Sequence, residues 1–572
     1  MTEAALIEGS LPGGFPDWTP TVPSLLAAAR ADHGDRTCMV TPTSRLSYAE
    51  LDERSARLAA SLVAAGAGKG TRVGLLFPNG TDWVTAWAAA ARIGAITVPV
   101  NTFYREAELA RFLRHADVQL LLGVSSFRKH DYVAALEAAA PELRGHHGGP
   151  LYLPSLPQLR RVMLWDSRPP RWARRYVADG GPADDHGGEA IVPAVVVRGL
   201  GEDVTPGDEL LITYTSGSSG EPKGVVHSHG ALLRHAFQLG MLSGIGPDSR
   251  VWTPMPLCWV GGFVFGLLRA LTRGGCFVTQ EVFEPGAALA QLGGERVTDV
   301  AAWPAVTAAL AGHPDFAGTD LSALRAGMYD ALPPGRRPGD PALAIGALGM
   351  SETCGPHTFK TAAQEAAGGP AEYRGNFGHP VPGIEHRIVD SETGRDLPDG
   401  AEGEVLVRGY SLMLGLYKRE PSEVFDADGW YHTGDRGYFR DGWFFFTGRQ
   451  TDLIKTSGSS VAPAEVEARL LSYPEVRLAF VVGIPDPVLG QQVIALAVAR
   501  EDARTVDGGA LRDRLRRDLS SYKVPGQVLA ITPAQVPWLS SQKADRRALA
   551  VLAEKLAAVS TIQENNPATD HH

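Results

Sequence analysis

The chain has 572 residues, 44% of them hydrophobic and 21% charged, with a formal net charge of −10. That length exceeds one ordinary domain and the apolar share suffices for large buried cores, so at least two domains are expected, while the acidic balance argues against a nucleic-acid partner, which asks for a basic surface. The four cysteines, Cys38, Cys258, Cys276 and Cys354, lie far apart, no run of 18 apolar residues occurs, and Glu3 and Glu8 stand where a signal peptide would be basic, so a soluble protein of the reducing cytoplasm, with no membrane span, is expected.

In chain order, helical apolar spacing runs over Ala56–Ala67 and Trp83–Arg92, with short β-like runs at Val73–Phe77 and Ala95–Val100. The alternation predicts doubly wound α/β layers. Between Gly145 and Val204 the periodicity fades, and Arg160, Arg161, Arg168, Arg171, Arg174 and Arg175 are set among Trp165, Trp172 and Tyr176. Such a cluster reads first as a solvated face and second as a patch for phosphates or a membrane surface.

The apolar run Leu210-Leu211-Ile212 then leads into Tyr214-Thr215-Ser216-Gly217-Ser218-Ser219-Gly220-Glu221-Pro222-Lys223-Gly224. Gly217 and Gly220 let backbone N–H groups converge on an anion, Thr215, Ser216, Ser218 and Ser219 add hydroxyl donors, and Lys223 adds a point charge. The stretch reads as a loop for a nucleotide triphosphate, with a plain flexible Ser/Gly loop as the alternative. Its Gly-x2-Gly-x2-Lys-Gly spacing is not the Gly-x4-Gly-Lys-Ser/Thr of P-loop ATPases.

From Glu385 to Phe446 short strands and Gly-centred turns suggest a small β-barrel-like module. After Arg449 a second domain is expected, with helices at Pro463–Ser472 and Gly509–Leu519 and β runs at Leu478–Gly483 and Val493–Ala499. The division is therefore 1–449 and 450–559, followed by a polar, aperiodic tail, 560–572, expected to be disordered.

Four further stretches supply what ATP-dependent activation of a carboxylate needs: Leu348-Gly349-Met350-Ser351-Glu352-Thr353, Tyr431-His432-Thr433-Gly434-Asp435, Gly448-Arg449-Gln450-Thr451-Asp452-Leu453-Ile454-Lys455, and Pro537-Trp538-Leu539-Ser540-Ser541-Gln542-Lys543. Glu352 offers a hard oxygen for Mg²⁺, Asp435 and Arg449 suit ribose hydroxyls, and Lys543 neutralises charge on a carboxylate and a phosphate together. With the phosphate loop, and in this order, they resemble the adenylate-forming superfamily of acyl-CoA synthetases, peptide-synthetase adenylation domains and luciferases. The resemblance extends to Leu46–Leu51, Pro99-Val100-Asn101, Gly378–Gly383, Gly415-Leu416-Tyr417, Val461–Glu467 and Tyr522–Pro525, and so covers nearly the whole chain.

The resemblance implies a large N-terminal domain of doubly wound α/β subdomains with a small β-barrel, and a small, mobile α+β C-terminal domain. It implies a ligase that uses ATP, Mg²⁺ and CoA to turn a carboxylic acid into an acyl-adenylate and then a thioester. Carried over residue by residue, nucleotide binding falls to Thr215, Ser216, Gly217, Ser218, Ser219, Gly220, Lys223, Leu348, Gly349, Met350, Ser351, Asp435 and Arg449, and the metal to Glu352. Catalysis falls to Lys543, Glu352 and Lys455, the CoA tunnel to Ser457 and Gly458, and the hinge between half-reactions to Thr451. The acyl group falls to Trp259, Val260, Gly261, Gly262, Phe263, Trp303, Gly327 and Met328, where apolar surface suits a hydrophobic acid and Gly261 and Gly262 leave room for bulk. A carrier protein acting in trans in place of CoA, a partner ligase supplying the adenylate, and a homodimer stay open.

Several positions depart from the family pattern. Trp259 replaces a polar gate, Leu348 an adenine-stacking tyrosine, Thr451 an Asp or Lys hinge, and Gln542 a glycine, while the Pro/Gly-rich 333–341 stretch cannot sustain the helix that relatives place there. These changes weigh on the first half-reaction and keep two alternatives alive: a thioester-forming ligase fed with acyl-adenylate, and a non-catalytic nucleotide-binding protein on the same fold. His227 and His229 show no zinc spacing and read as lining the loop exit or packing locally, and Ser540-x-x-Lys543 is an accidental match to the penicillin-binding pattern.

Overall fold

A computed structural model describes residues 15–177, 181–182, 192–216, 222–332, 334–337, 341–344, 346–367, 370–449, 454–456, 459–461, 463–486, 489–500, 506–519, 523–539 and 543–565. The chain divides into two compact units, the first Met1–Glu385 with Val407–Tyr431, the second His386–Leu406 with His432–His572.

The first unit is built on two larger sheets. In one, Arg72–Leu76, Ile96–Pro99, Leu120–Gly123, Arg161–Leu164 and Arg174–Val177 run parallel, and Ile96–Pro99 pairs with Glu209–Ser216. Val73–Leu76, Ile96–Pro99, Leu120–Gly123 and Val162–Leu164 are buried and apolar but for Thr97, as strands covered on both faces must be, whereas the outer Arg174–Val177 carries two arginines. In the other, Thr37–Val40, Arg250–Trp252, Cys276–Val278 and Asp299–Val300 run parallel. The helix Thr81–Ala91 is buried along its whole length from Trp83 onward, in an apolar core shared with Val73, Leu75 and Leu210 of the first sheet and Met39, Val251 and Phe277 of the second. A second core, with Phe112, Leu121, Tyr132 and Val162, packs the outer face of the larger sheet.

The stretch between 145 and 204, aperiodic in sequence, holds two of those parallel strands and the helix Ala194–Glu202. Its aromatics are packing groups: Trp165 lies 4.2 Å from Tyr176 and 4.8 Å from Phe77, and the buried Trp172 donates to Glu137. Arg160 donates to the carbonyls of Pro157 and Leu159. These contacts account for the aromatics and Arg160, whereas Arg168, Arg171 and Arg175 are exposed, as on a solvated face.

In the second unit, Val476–Asp486 and Gly490–Ala499 form a long antiparallel pair, and Gln527–Ile531 joins the latter in parallel. The period-2 pattern of these strands puts Val481, Val493 and Ala495 against helices Pro463–Leu471 and Gly508–Asp518, and Phe480, Ile494 and Leu496 against Arg546–Asn565. Strands Tyr431–Arg440 and Trp443–Arg449 make an antiparallel hairpin in a four-stranded sheet with Ile384–Val389 and Gly403–Gly409. The expectation of a disordered tail from 560 is corrected in part, because the last helix runs to Asn565. No Gly or Pro interrupts it before Pro567, and the residue before a proline resists the helical conformation. Among the described residues no helix is long and apolar enough to cross a membrane.

Candidate active site

The hairpin Glu209–Ser216 and Pro222–Ser228 sets Thr215 opposite Lys223 and Ser216 opposite Pro222. Burial of Leu210 to Tyr214 fixes the strand in the sheet, and its end emerges half-buried at Thr215, with Lys223 exposed across from it. Gly217, Ser218, Ser219 and Gly220 lie outside the described residues, as do Thr451, Ser457, Gly458 and the side chain of Lys455.

Glu352 stands on a single 3₁₀ turn, Ser351–Thr353, between strands Ala347–Met350 and Gly355–Phe359, which pair antiparallel. Leu348, Met350 and Ser351 are half-buried and Gly349 is exposed. Glu352 Oε1 accepts a hydrogen bond from the Tyr431 hydroxyl at 3.2 Å, and the Glu352 carbonyl accepts from Met413 N at 2.8 Å. Thr353 Oγ1 donates to the Gly355 carbonyl at 2.7 Å, and Cys354 closes the turn in the left-handed region, at φ +60°. His227, on the strand Pro222–Ser228 and fully buried, lies 2.7 Å from the Ser351 carbonyl through Nε2 and 3.0 Å from Cys354 Sγ through Nδ1. Burial pushes the His227 pKa down to about 4, against the opposing hydrogen bond to Ser351. The imidazole is therefore neutral near pH 7.

The donor set fits a magnesium ion held mainly by the phosphates of a nucleotide. Glu352 Oε2 has no protein partner among the described residues, and no three His, Cys, Asp or Glu gather there into a site of their own. Magnesium usually takes one or two carboxylates and completes its shell with phosphate oxygens and water.

The residues expected around the acyl group separate into two kinds. Trp259 and Trp303 are half-buried with ring centroids 5.6 Å apart, and Phe265, half-buried too, faces Phe359 at 6.1 Å. Phe263 instead packs between Trp83 and Trp87, Val260 lies in the same core, and Met328 lies in the core beneath the smaller parallel sheet. The run Gly261–Leu268 is π-helical, which shifts the facing of its side chains from ordinary helical spacing. The reading that both glycines leave room for bulk is corrected at Gly262, where a Cβ would come within 2.4 Å of the Pro256 carbonyl, while one on Gly261 would meet only the flexible Met255 thioether, at 3.0 Å. Gly327 likewise has φ +101° and no space beside the Val300 carbonyl. Their missing side chains admit backbone and Met255.

In the second unit the hairpin register sets Asp435 opposite Arg449. Asp435 is 4% exposed, its carboxylate pairs with Arg449 Nε at 2.9 Å, and the guanidinium reaches into solvent. Asp435 N also donates to Thr433 Oγ1 at 3.0 Å. Lys543 is exposed; its carbonyl accepts from Leu539 N at 2.8 Å, and its ammonium has no partner among the described residues.

Sequence reasoning quoted Tyr431 inside a motif without giving it a role, dismissed His227, counted Cys354 only as a dispersed cysteine, and passed over Phe265. Two of them carried a signal each: His227 follows the apolar pair Val225-Val226, and Cys354 follows the Glu352 motif directly.

Comparison with known proteins gives the family. The profile of the AMP-binding enzyme family matches residues 26–417, and that of the AMP-binding enzyme C-terminal domain matches residues 465–543. A feruloyl-CoA synthase from an Amycolatopsis species is 32% identical over 490 residues, covering 84% of this chain and 89% of its own. A sulfoacetate–CoA ligase from Cupriavidus necator is 29% identical over 549 residues, covering 93% and 97%. Among solved structures, the amide bond synthetase McbA from Marinactinospora thermotolerans superposes with a TM-score of 0.73 at 26% identity, over 93% of this chain and 99% of its own.

Proposed function

The chain belongs to the AMP-binding enzyme family, and from that premise we propose that it is an AMP-forming acid–thiol ligase: with ATP, Mg²⁺ and CoA it converts a hydrophobic carboxylic acid to its CoA thioester through an acyl-adenylate. The observation that carries the reading is Glu352, presented on a rigid turn with one carboxylate oxygen held by Tyr431 and the other open. In this reading Thr215, the 216–220 loop and Lys223 hold phosphates, Asp435 and Arg449 hold the ribose, and Lys543 stabilises the charge that develops as the acid attacks the α-phosphorus. Bound magnesium would withdraw charge from the phosphate oxygens. A small part from residue 450 on turns about Thr451 between half-reactions and then offers Lys455, Ser457 and Gly458 to the thiol. The half-buried Trp259, Trp303 and Phe265 favour an apolar, and in particular an aromatic, acyl group.

A second reading has its own support. The 334–344 stretch forms two separate 3₁₀ turns, Pro334–Arg336 and Pro341–Ala344, and Leu348 offers no ring to an adenine. Loss of stacking weakens ATP by about 1–3 kcal/mol, a loss that the buried acyl group of an acyl-adenylate offsets at about 0.8 kcal/mol per methylene. The protein is therefore expected to use supplied acyl-adenylate plus CoA better than acid, ATP and CoA. Turnover of both substrate sets across a panel of fatty and aryl acids tests this. Equal rates would make it an ordinary two-step ligase, and no thioester from either set would leave a nucleotide-binding protein.

A further inference from the structure

The turn that carries Glu352 is restrained by three side chains that packing alone does not require. A phenyl ring would fill the place of Tyr431, yet the hydroxyl is there and donates to Oε1 at 3.2 Å. Position 227 lies on a strand whose neighbours Val225 and Val226 are buried and apolar, yet it holds an imidazole with no solvent exposure. Both ring nitrogens are used. Because Nε2 faces a carbonyl, it carries the proton and donates to Ser351, and Nδ1 is left to accept from the Cys354 thiol.

These bonds act on consecutive residues. His227 fixes the Ser351 carbonyl, Met413 fixes the Glu352 carbonyl, and Cys354 holds a left-handed conformation that a non-glycine residue adopts only at a cost of about 1–2 kcal/mol. With the backbone pinned on both sides of Glu352 and one carboxylate oxygen tied to Tyr431, the side chain has little freedom left. Resting on the adenylation reading above, we infer that Tyr431 and the His227–Cys354 pair are positioning residues that aim the free oxygen of Glu352 at the divalent cation accompanying ATP. A hydrogen-bonded partner behind a metal-binding carboxylate fixes its orientation, and its removal costs metal affinity.

The test is ATP binding to the full-length protein, with no acid present, measured by calorimetry in Mn²⁺ and in EDTA. The ratio of the two affinities reports the metal contact without any turnover. Tyr431→Phe is expected to lower that ratio about tenfold, with the affinity in EDTA unchanged. His227→Leu should lower it similarly, whereas His227→Gln, which retains an N–H for Ser351, should restore most of it. Thioester formation from supplied acyl-adenylate and CoA should be unaffected by Tyr431→Phe. An unchanged ratio in Tyr431→Phe would overturn the inference, as would an equal loss in Mn²⁺, in EDTA and in the thioester step, which marks a merely structural residue. If His227→Leu fails to fold, Tyr431→Phe decides alone. Should ATP binding by the parent protein be indifferent to Mn²⁺, the adenylation reading itself falls and the positioning role falls with it.

Discussion

The turn that carries Glu352 is held by groups drawn from separate parts of the first unit, whereas the ammonium of Lys543, in the second unit, stands exposed with no partner among the described residues. Asp435 lies between these extremes: its carboxylate is buried, but its partner Arg449 is largely in solvent. The difference matches the tasks proposed for them. A metal ligand gains from one fixed orientation, because any reorientation must be undone at each turnover. A cation that serves one half-reaction and then withdraws gains from having only local bonds to break.

The comparison can be broken most sharply at Lys543. Lys543→Ala is expected to slow adenylation on the order of 10²–10³-fold, as loss of a preorganised charged donor does, while leaving the use of supplied acyl-adenylate nearly intact. ATP–pyrophosphate exchange and thioester formation, measured side by side, check both halves. Unchanged exchange would remove Lys543 from the first half-reaction. At Asp435 the expected effect is smaller. Asp435→Ala removes hydrogen bonds to a charged group, worth about 1.5–3 kcal/mol, and should raise the KM for ATP by roughly ten- to a hundredfold. If that KM is unmoved, the pair with Arg449 is structural.

Much of the architecture around the candidate site was legible in the sequence because it is local. The strand Glu209–Ser216, the strands around Asp435 and Arg449 and the helices Pro463–Leu471 and Gly508–Asp518 follow from apolar periodicity and from short motifs whose members are close in sequence. What stayed hidden depends on long-range approach. Glu352 and Tyr431 are 79 residues apart and Cys354 and His227 are 127 apart, and no spacing rule connects them. Gly262 shows the same limit from the other side: the sequence says that a side chain is missing, and only the fold says that the Pro256 carbonyl takes the space. The segment from 145 to 204 was opaque because its strands are short and interrupted by Pro and Gly, so that partners in the sheet define them more than their own pattern does.

The restraint of the first unit has a consequence for acid stability. Burial pushes His227 down to about 4 and His229 and His235 down to about 3, all in that unit. Each is neutral in the fold but takes up a proton near pH 6.5 when unfolded, so the unfolded chain binds more protons below that pH. Stability should fall as the pH drops from about 6.5 toward 4, by about 1.4 kcal/mol per pH unit for each histidine. In the second unit His432 is exposed. Hydrogen exchange at pH 7.5 and pH 5, corrected for intrinsic rates, should show the first unit losing more protection than the second. Equal losses would mean that buried histidines do not set the acid limit.

Lys360 offers the mildest test, and it separates burial from function. The strand Gly355–Phe359 that leaves the Glu352 turn ends at this lysine, which has no solvent exposure, donates to the Leu343 carbonyl, and makes no ion pair among the described residues. Burial pushes its pKa down to about 8. A lysine that keeps its proton to pH 10 in the unfolded chain but holds it poorly in the fold lowers stability below about pH 8, and the penalty fades as the pH rises toward 10.5. Lys360→Met removes the penalty at similar length but leaves the Leu343 carbonyl without its donor, a loss of about 1 kcal/mol. Near pH 7 the variant should therefore match or exceed the parent in urea unfolding, and its relative advantage should shrink between pH 8 and 10. A variant clearly less stable than the parent at pH 7 would mean that the ammonium is compensated in the fold, and that the buried lysine of the first unit is as well matched to its surroundings as Glu352.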